Sequence, residues 1–181
     1  MKRMILIDGN SLMYRAYFGI ADTSTLKPNS KGVFTNAIMS FARMMNHILQ
    51  EQFDNILVAF DAGKHTFRHD IMTDYKAGRA HMPEEMRMQI AHIKNLLDLL
   101  GVKRYEVALY EADDIIGTMA KKAEGEGYHV DIYSSDKDLL QLITDNTTVH
   151  LTKKGLTDLE DYTPSHFEEV YGIKVPQFID L

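Results

Sequence analysis

The chain has 181 residues, of which 45% are hydrophobic and 25% charged, and it contains neither cysteine nor tryptophan. This length and apolar fraction predict one globular domain with a substantial core and argue against a disordered or fibrous chain. The lack of cysteine excludes disulfide scaffolds, thiol catalysis, zinc ribbons and iron–sulfur clusters. The first apolar run ends at Asp8 and none approaches about eighteen residues, so the sequence predicts a cytoplasmic protein without a membrane span or secretory signal.

Charge is unevenly distributed along the chain. Residues 1–50 carry six Lys/Arg and two Asp/Glu, whereas residues 105–181 carry six and sixteen, and the net charge is −6. A protein that binds a polyanion over its whole surface has an excess of basic residues, which this chain lacks. The pattern fits a protein that holds cations with carboxylates and contacts phosphate locally, although an acidic solvated surface is the simpler explanation of charge asymmetry taken alone.

Short apolar runs alternate with amphipathic stretches along the chain. Strands are predicted at 4–7, 56–60, 102–107, 128–133 and 148–151, and helices at 36–50, 83–100, 112–123, 138–143 and 164–171. Asp8-Gly9-Asn10 is interpreted as a turn. The alternation predicts an α/β fold with a mostly parallel central sheet flanked by helices on both faces.

A basic segment interrupts this pattern between Gly63 and Met82. Its basic side chains are Lys64, His65, Arg68, His69, Lys76, Arg79 and His81, with Phe67 and Tyr75 among them. About twenty residues without a core face are long for a connection, and such segments are often functional. We therefore predict a projecting element that contacts phosphate and stacks on a base.

Carboxylates follow the predicted strands. Asp8, Asp61 and Asp136 stand after three of them, which places these side chains at one edge of a parallel sheet, where ligands bind. Four more stand at loop-to-helix junctions, namely Glu111, Asp113, Asp114 and Asp138. Each alone can serve as a helix cap, but seven carboxylates at one edge repel each other unless a cation neutralises them.

These ligand types favour a particular cation and reaction. Carboxylate oxygens without Cys or a His cluster select hard cations, chiefly Mg²⁺ or Mn²⁺, and seven of them favour two ions. Paired ions of this kind support phosphodiester hydrolysis. The chain contains no phosphate-binding loop, dinucleotide-binding fingerprint or nucleophile elbow.

The motifs, in their order, resemble those of the 5′-nuclease family, which comprises the N-terminal 5′→3′ exonuclease domain of bacterial DNA polymerase I and the stand-alone flap endonucleases. The matching segments are LIDGNS with Tyr14-Arg15, AFDA, FRH, YKAGR, YEADDII and SDKDL. The resemblance implies a PIN-like (resolvase-like) domain over residues 1–181, with 63–95 as a basic arch or clamp. It also implies divalent-metal-dependent cleavage of DNA at 5′ flaps and 5′ ends, including primer ends.

The resemblance implies roles for individual residues. The residues of the tighter metal site would be Asp8, Asp61, Glu111 and Asp113, and those of the second site Asp114, Asp136 and Asp138. Lys76 and Arg79 would be catalytic and contact the phosphate. The remaining DNA-binding residues would be Tyr14, Arg15, Arg68 and Tyr75, with Phe18 beside the first two. Mg²⁺ or Mn²⁺ would be the cofactor, and DNA in the nucleoid the partner.

The family's chains continue into a helix-hairpin-helix-like element that binds duplex DNA and supplies further aspartates, whereas this sequence ends at Leu181. The resemblance therefore implies reduced activity, a weakened second metal site and, in a longer protein, a polymerase domain. One alternative is a non-catalytic nucleic-acid-binding fragment. Another is a haloacid-dehalogenase-like phosphatase with Asp8 as nucleophile, although that family has a second aspartate where this chain has Asn10.

Overall fold

The computed structural model describes residues 1–19, 27–63, 82–153 and 158–180. Its strands are β1 (Lys2–Asp8), β2 (Asn55–Ala59), β3 (Lys103–Tyr105), β4 (Tyr128–Ser134), β5 (Thr147–Thr152) and β6 (Leu159–Tyr162). Its α-helices are α1 (Gly9–Phe18), α2 (Asn36–Ile48), α3 (Glu84–Leu99), α4 (Ala112–Gly125) and α5 (Pro164–Tyr171). Two 3₁₀ helices cover Lys137–Leu142 and Val175–Asp180. In this described part of the chain no helix is long and apolar enough to cross a membrane.

The six strands form one sheet in the order β3-β2-β1-β4-β5-β6. Every described pairing is parallel except that of β5 with β6, so the predicted mostly parallel sheet is confirmed. In chain order, β2 and β3 are added on one side of β1. The chain then crosses over, and β4 pairs with the other side of β1. The carboxyl ends of β1 and β4 therefore flank the point at which strand order reverses, where open α/β sheets bind ligands.

Helices cover both faces of the sheet. Successive side chains of β1 point to opposite faces, so this strand contributes to a core on each face. Met4 and Leu6 pack in a core with residues of α4 and α5. Ile5 and Ile7 pack in a second core with residues of α1, α2 and α3. These four side chains are at most 8% exposed, so the central strand is buried on both faces.

A buried polar network ties three strands together. Asp131 on β4 accepts a hydrogen bond from Arg3 Nε at 2.6 Å and lies 2.8 Å from His150 Nε2 on β5. Burial raises the pKa of Asp131, but the hydrogen bonds from His150 and Arg3 outweigh it and lower that pKa to about 2. The network supplies the charge partners that a buried carboxylate requires.

Gln89 anchors α3 on α2. Its side chain is fully buried, and Oε1 accepts hydrogen bonds from the backbone N–H groups of Ala37 and Ile38 at 2.9 and 3.2 Å. The side chain of the N-cap residue Thr35 makes no capping hydrogen bond, so Gln89 satisfies the first turn of α2 from another helix. Residues 84–95 of the predicted arch region thus belong to a core helix, whereas residues 64–81 lie outside the described part of the chain.

Most predicted elements are confirmed, with bounds that differ by a few residues. The interpretation of Asp8-Gly9-Asn10 as a turn is wrong, because α1 begins at Gly9 directly after β1. The Asp8 carboxylate accepts from Ser11 N at 3.0 Å and caps this helix, so one residue ends the strand and starts the helix. The edge strand β6 and the 3₁₀ helix at 175–180 are absent from the predictions.

Gly9 permits close contact between α1 and the end of β2. A Cβ at this position would lie 2.6 Å from the Phe60 ring and 2.9 Å from the Ala59 carbonyl oxygen. The ring can rotate, but the carbonyl belongs to the sheet backbone. A side chain at position 9 therefore forces α1 away from the sheet.

We expect Gly9→Ala to lower the free energy of unfolding by about 2 kcal/mol through overpacking. Gly117→Ala on α4 is the matched control, since its new Cβ would lie 3.5 Å from the nearest atom, Leu142 Cδ2. That variant should gain about 1 kcal/mol from helix propensity. Urea denaturation measures both, and equal stability of Gly9→Ala and the wild type would contradict the close contact.

Candidate functional site

Asp8 lies at the reversal point of the sheet and is only 3% exposed. Its Oδ1 accepts from Ser11 N on α1, and its Oδ2 accepts from Ser134 Oγ at 2.8 Å. Burial raises the pKa of Asp8, the hydrogen bonds from Ser11 and Ser134 oppose this, and the charge of Asp136 adds to it, so the pKa is raised overall.

Asp136 stands two residues beyond β4, on the other side of the reversal point. Its backbone N–H donates to Ser134 Oγ at 2.9 Å, and its Oδ1 accepts from Asp138 N at 3.0 Å. The carboxylate therefore caps the 3₁₀ helix that follows. Asp138 itself is exposed.

Asp61 connects the end of β2 to α4. Its Oδ1 accepts from the backbone N–H of Ala112 at 2.7 Å. Glu111, the N-cap residue of α4, is 5% exposed, and its N–H donates to Asp114 Oδ2 at 3.0 Å in a capping box. The positive end of the α4 dipole thus faces several carboxylates.

The charges of the other acidic side chains affect the pKa of Asp113. Burial, followed by the negative charges of Asp8, Asp136, Asp61 and Glu111, raises its pKa to about 7. The carboxylates at the ends of β1, β2 and β4 and at the start of α4 are therefore close enough to interact electrostatically, although they are far apart in the chain. We call these five residues the strand-end carboxylates.

Among the described residues, no three Asp, Glu or His side chains are arranged so that they could hold a metal ion. Asp8 and Asp61 bind backbone N–H or serine donors instead. Repulsion between like charges opposes a closer approach. The donor chemistry nevertheless fits a hard cation, because the group consists entirely of carboxylates with hydrogen-bonded neighbours.

The predicted DNA-binding residues divide into two sets. Those of the basic segment, Arg68, Tyr75, Lys76 and Arg79, lie outside the described residues. On α1, Tyr14 and Phe18 are exposed and stacked, with ring centroids 6.2 Å apart and planes at 19°. Arg15 donates through Nη2 to the Lys153 carbonyl beyond β5. The aromatic pair thus stands on the helix that starts at the buried Asp8.

Ser11 and Ser134 contact the strand-end carboxylates, although the sequence predicts no role for either. Their Oγ atoms are 2.9 Å apart, and Ser134 is fully buried. The available signal is weak, since it consists of a small hydroxyl residue after each of two predicted strands. Serine is common at such positions for purely local reasons.

A mostly parallel sheet with carboxylates gathered at its reversal point defines a PIN-like, resolvase-like α/β domain. Residues 3–172 match the family model described as the N-terminal resolvase-like domain of 5′-3′ exonucleases, and the chain belongs to this family. It is 51% identical over 181 residues to DNA polymerase I of Bacillus subtilis, covering 99% of this chain and 20% of that protein. The chain thus spans about a fifth of the length of this curated relative.

Two solved structures share the fold. The phage T5 5′-exonuclease with bound zinc ions superposes with a TM-score of 0.70 at 21% identity, over 99% of this chain and 65% of that one. The phage T5 flap endonuclease in a complex with DNA and metal ions gives a TM-score of 0.68 at 20% identity, with the same coverage. The predicted family and fold class are confirmed.

The raised pKa of Asp113 predicts how stability depends on pH without divalent cations. The folded protein binds this proton more tightly than the unfolded chain, whose aspartate has a pKa near 3.8, so stability should fall as pH rises from about 4 to about 7. The shift corresponds to about 4 kcal/mol, which solvent screening at this partly exposed group reduces to about 2 kcal/mol.

Asp113→Asn should therefore be more stable than the wild type at pH 8 in EDTA and nearly equal to it at pH 4. Urea denaturation at both values measures the difference. Asp145→Asn is the control, because Asp145 is exposed just before β5, at the opposite edge of the sheet. A pH-independent difference for Asp113→Asn would show that neither burial nor the other carboxylates raise the pKa of Asp113.

Proposed function

We propose that this domain hydrolyses DNA phosphodiester bonds at 5′ ends and 5′ flaps, using divalent cations held by the strand-end carboxylates. The observation that carries the proposal is the meeting of carboxylates from separate parts of the chain at the reversal point, where Asp61 binds the start of α4 and Ser134 links Asp8 to the backbone of Asp136. The raised pKa of Asp113, caused by burial and by the charges of these groups, agrees with it. Membership of the 5′-3′ exonuclease family supports the reaction. The phage T5 relatives solved with metal ions support the cofactor class.

The residues proposed for a first Mg²⁺ or Mn²⁺ are Asp8, Asp61, Glu111 and Asp113, and those for a second are Asp114, Asp136 and Asp138. A bound divalent cation supplies charge neutralisation and Lewis-acid activation to phosphodiester hydrolysis. With its pKa raised to about 7, the Asp113 carboxyl is partly protonated at neutral pH before a cation binds. Asp113 must release this proton to become a ligand.

The substrate side of the proposal rests on basic and aromatic residues. Lys76 and Arg79 would contact the phosphate, and Arg68 and Tyr75 would assist them. Tyr14 and Phe18 offer exposed rings for base stacking on the helix that starts at Asp8. In the whole protein we propose a linked polymerase domain, as in the B. subtilis relative, and action on DNA in the nucleoid, including primer ends.

A second candidate is a non-catalytic domain that binds nucleic acid. The described side chains form no group of three arranged to hold a metal ion, which favours this alternative. It predicts flap binding without product. Cleavage that depends on Asp113 would exclude it.

Cleavage of a 5′-labelled flap DNA by the 181-residue chain, with Mg²⁺ or Mn²⁺, tests the proposal directly. We expect shortened products with divalent cation and none with EDTA. Asp113→Asn should reduce the rate by at least about 100-fold, because it removes a proposed ligand. Asp145→Asn should retain the wild-type rate. Binding of the flap without cleavage by the wild type would favour the second candidate instead.

Proton release tests cation binding separately from catalysis. At pH 7 in weak buffer, adding Mg²⁺ to the wild type should release protons, since the raised pKa of Asp113 leaves its carboxyl partly protonated there. The melting temperature should rise in parallel. Asp113→Asn should release fewer protons than the wild type. If Mg²⁺ neither releases protons from the wild type nor raises its melting temperature, the proposed metal site is wrong.

A further inference from the structure

We propose that Ser134 is a positioning residue that, together with Ser11, fixes the Asp8 carboxylate against the backbone of Asp136 across the reversal point of the sheet for cation binding. The proposal rests on the function proposed above. It concerns the ends of β1 and β4, which come from distant parts of the chain and between which no covalent connection sets the spacing of these two acidic residues.

Hydrogen-bond capacity determines the direction of the contacts at Ser134. A hydroxyl has one proton to donate and two lone pairs to accept with. Ser134 Oγ lies 2.8 Å from Asp8 Oδ2, 2.9 Å from Ser11 Oγ and 2.9 Å from Asp136 N. An ionised Asp8 can only accept, and a backbone N–H can only donate. With Asp8 ionised, as a cation ligand must be, the Ser134 proton points to Asp8, and in the contact between the two hydroxyls Ser11 is the donor.

The chain of donors continues through Ser11. Its Oγ accepts from the backbone N–H of Ser135 at 3.0 Å, and its backbone N–H donates to Asp8 Oδ1. Polarity thus runs from the Ser135 N–H through both hydroxyls to the Asp8 carboxylate. Hydrogen bonds aligned in this way polarise and strengthen one another.

Ser134 contacts the Asp8 carboxylate and the backbone N–H of Asp136 at the same time. It is fully buried, and its three partners use all of its hydrogen-bonding capacity. Without its hydroxyl, Asp8 Oδ2 loses a donor, and the Asp136 N–H loses its acceptor. The two acidic residues are then no longer held to each other by a shared atom. A purely structural serine would affect stability and leave cation affinity unchanged.

Ser135 provides a matched control. Its Oγ donates to the backbone carbonyl of Ser11 at 3.1 Å, whereas its link to the Ser11 hydroxyl uses backbone N–H. Ser135→Ala therefore removes a neighbouring hydroxyl and leaves every contact of Asp8 and Asp136 in place. Ser11→Ala is a second variant, which removes the donor that orients Ser134.

The test is the Mn²⁺ dissociation constant of the 181-residue chain, measured from the electron paramagnetic resonance signal of free Mn²⁺. We expect Ser134→Ala to raise it by about tenfold, the usual effect of removing a partner that orients a metal ligand. Ser11→Ala should raise it less, Ser11→Thr should restore it, and Ser135→Ala should leave it unchanged. The Mg²⁺ concentration that half-saturates flap cleavage should shift by the same factors.

The outcomes separate this proposal from the function on which it rests. If the wild type binds Mn²⁺ and cuts flaps while Ser134→Ala and Ser11→Ala both match Ser135→Ala, the positioning role is wrong and the nuclease function stands. If the wild type does not bind Mn²⁺, both fail. If urea titrations show that Ser134→Ala is unfolded, the Ser11 variants test the positioning role instead. They are expected to fold because Ser11 is only partly buried.

Discussion

Repulsion among carboxylates at one edge of the sheet is the constraint around which this domain is arranged. Three of the negative charges there are met by donors from the starts of helices. Asp8 accepts from the N–H of Ser11 on α1, Asp61 from that of Ala112 on α4, and Asp136 from that of Asp138 on the following 3₁₀ helix. Helix starts carry unpaired N–H groups and partial positive charge, so they can hold anionic groups that would otherwise separate.

This arrangement explains how a stable fold can retain an unneutralised acidic cluster. The helix starts offset part of the repulsion, while burial and, after it, the remaining repulsion raise the pKa values of Asp8 and Asp113. A group that holds its proton near neutral pH is a common property of functional sites, where stability is lower than it could be. The close contact at Gly9 is part of the same arrangement, because it sets α1 against the end of β2.

Much of the fold could be predicted because its signals are local. β1, β2 and β4 are short apolar runs that end in polar residues, and α3 and α4 show helical spacing with suitable first and last residues. One local prediction was wrong and one strand was not predicted, for identifiable reasons. α1 starts with glycine and asparagine, which are poor helix formers, and Asp8 serves it as a cap while ending β1. β6 is an edge strand of four residues, with two acidic side chains and no apolar run.

The sequence alone determined which residues end the strands, and therefore which carboxylates meet at the reversal point, because strand ends in a parallel sheet share one edge. Only the tertiary structure decided how those carboxylates are held. Ala112 N reaches Asp61 across 51 residues of chain, and Ser134 reaches Asp8 across 126. The sequence contains no periodic pattern that predicts such contacts. Each depends on two distant segments meeting at hydrogen-bond distance rather than on the spacing of residues within one element.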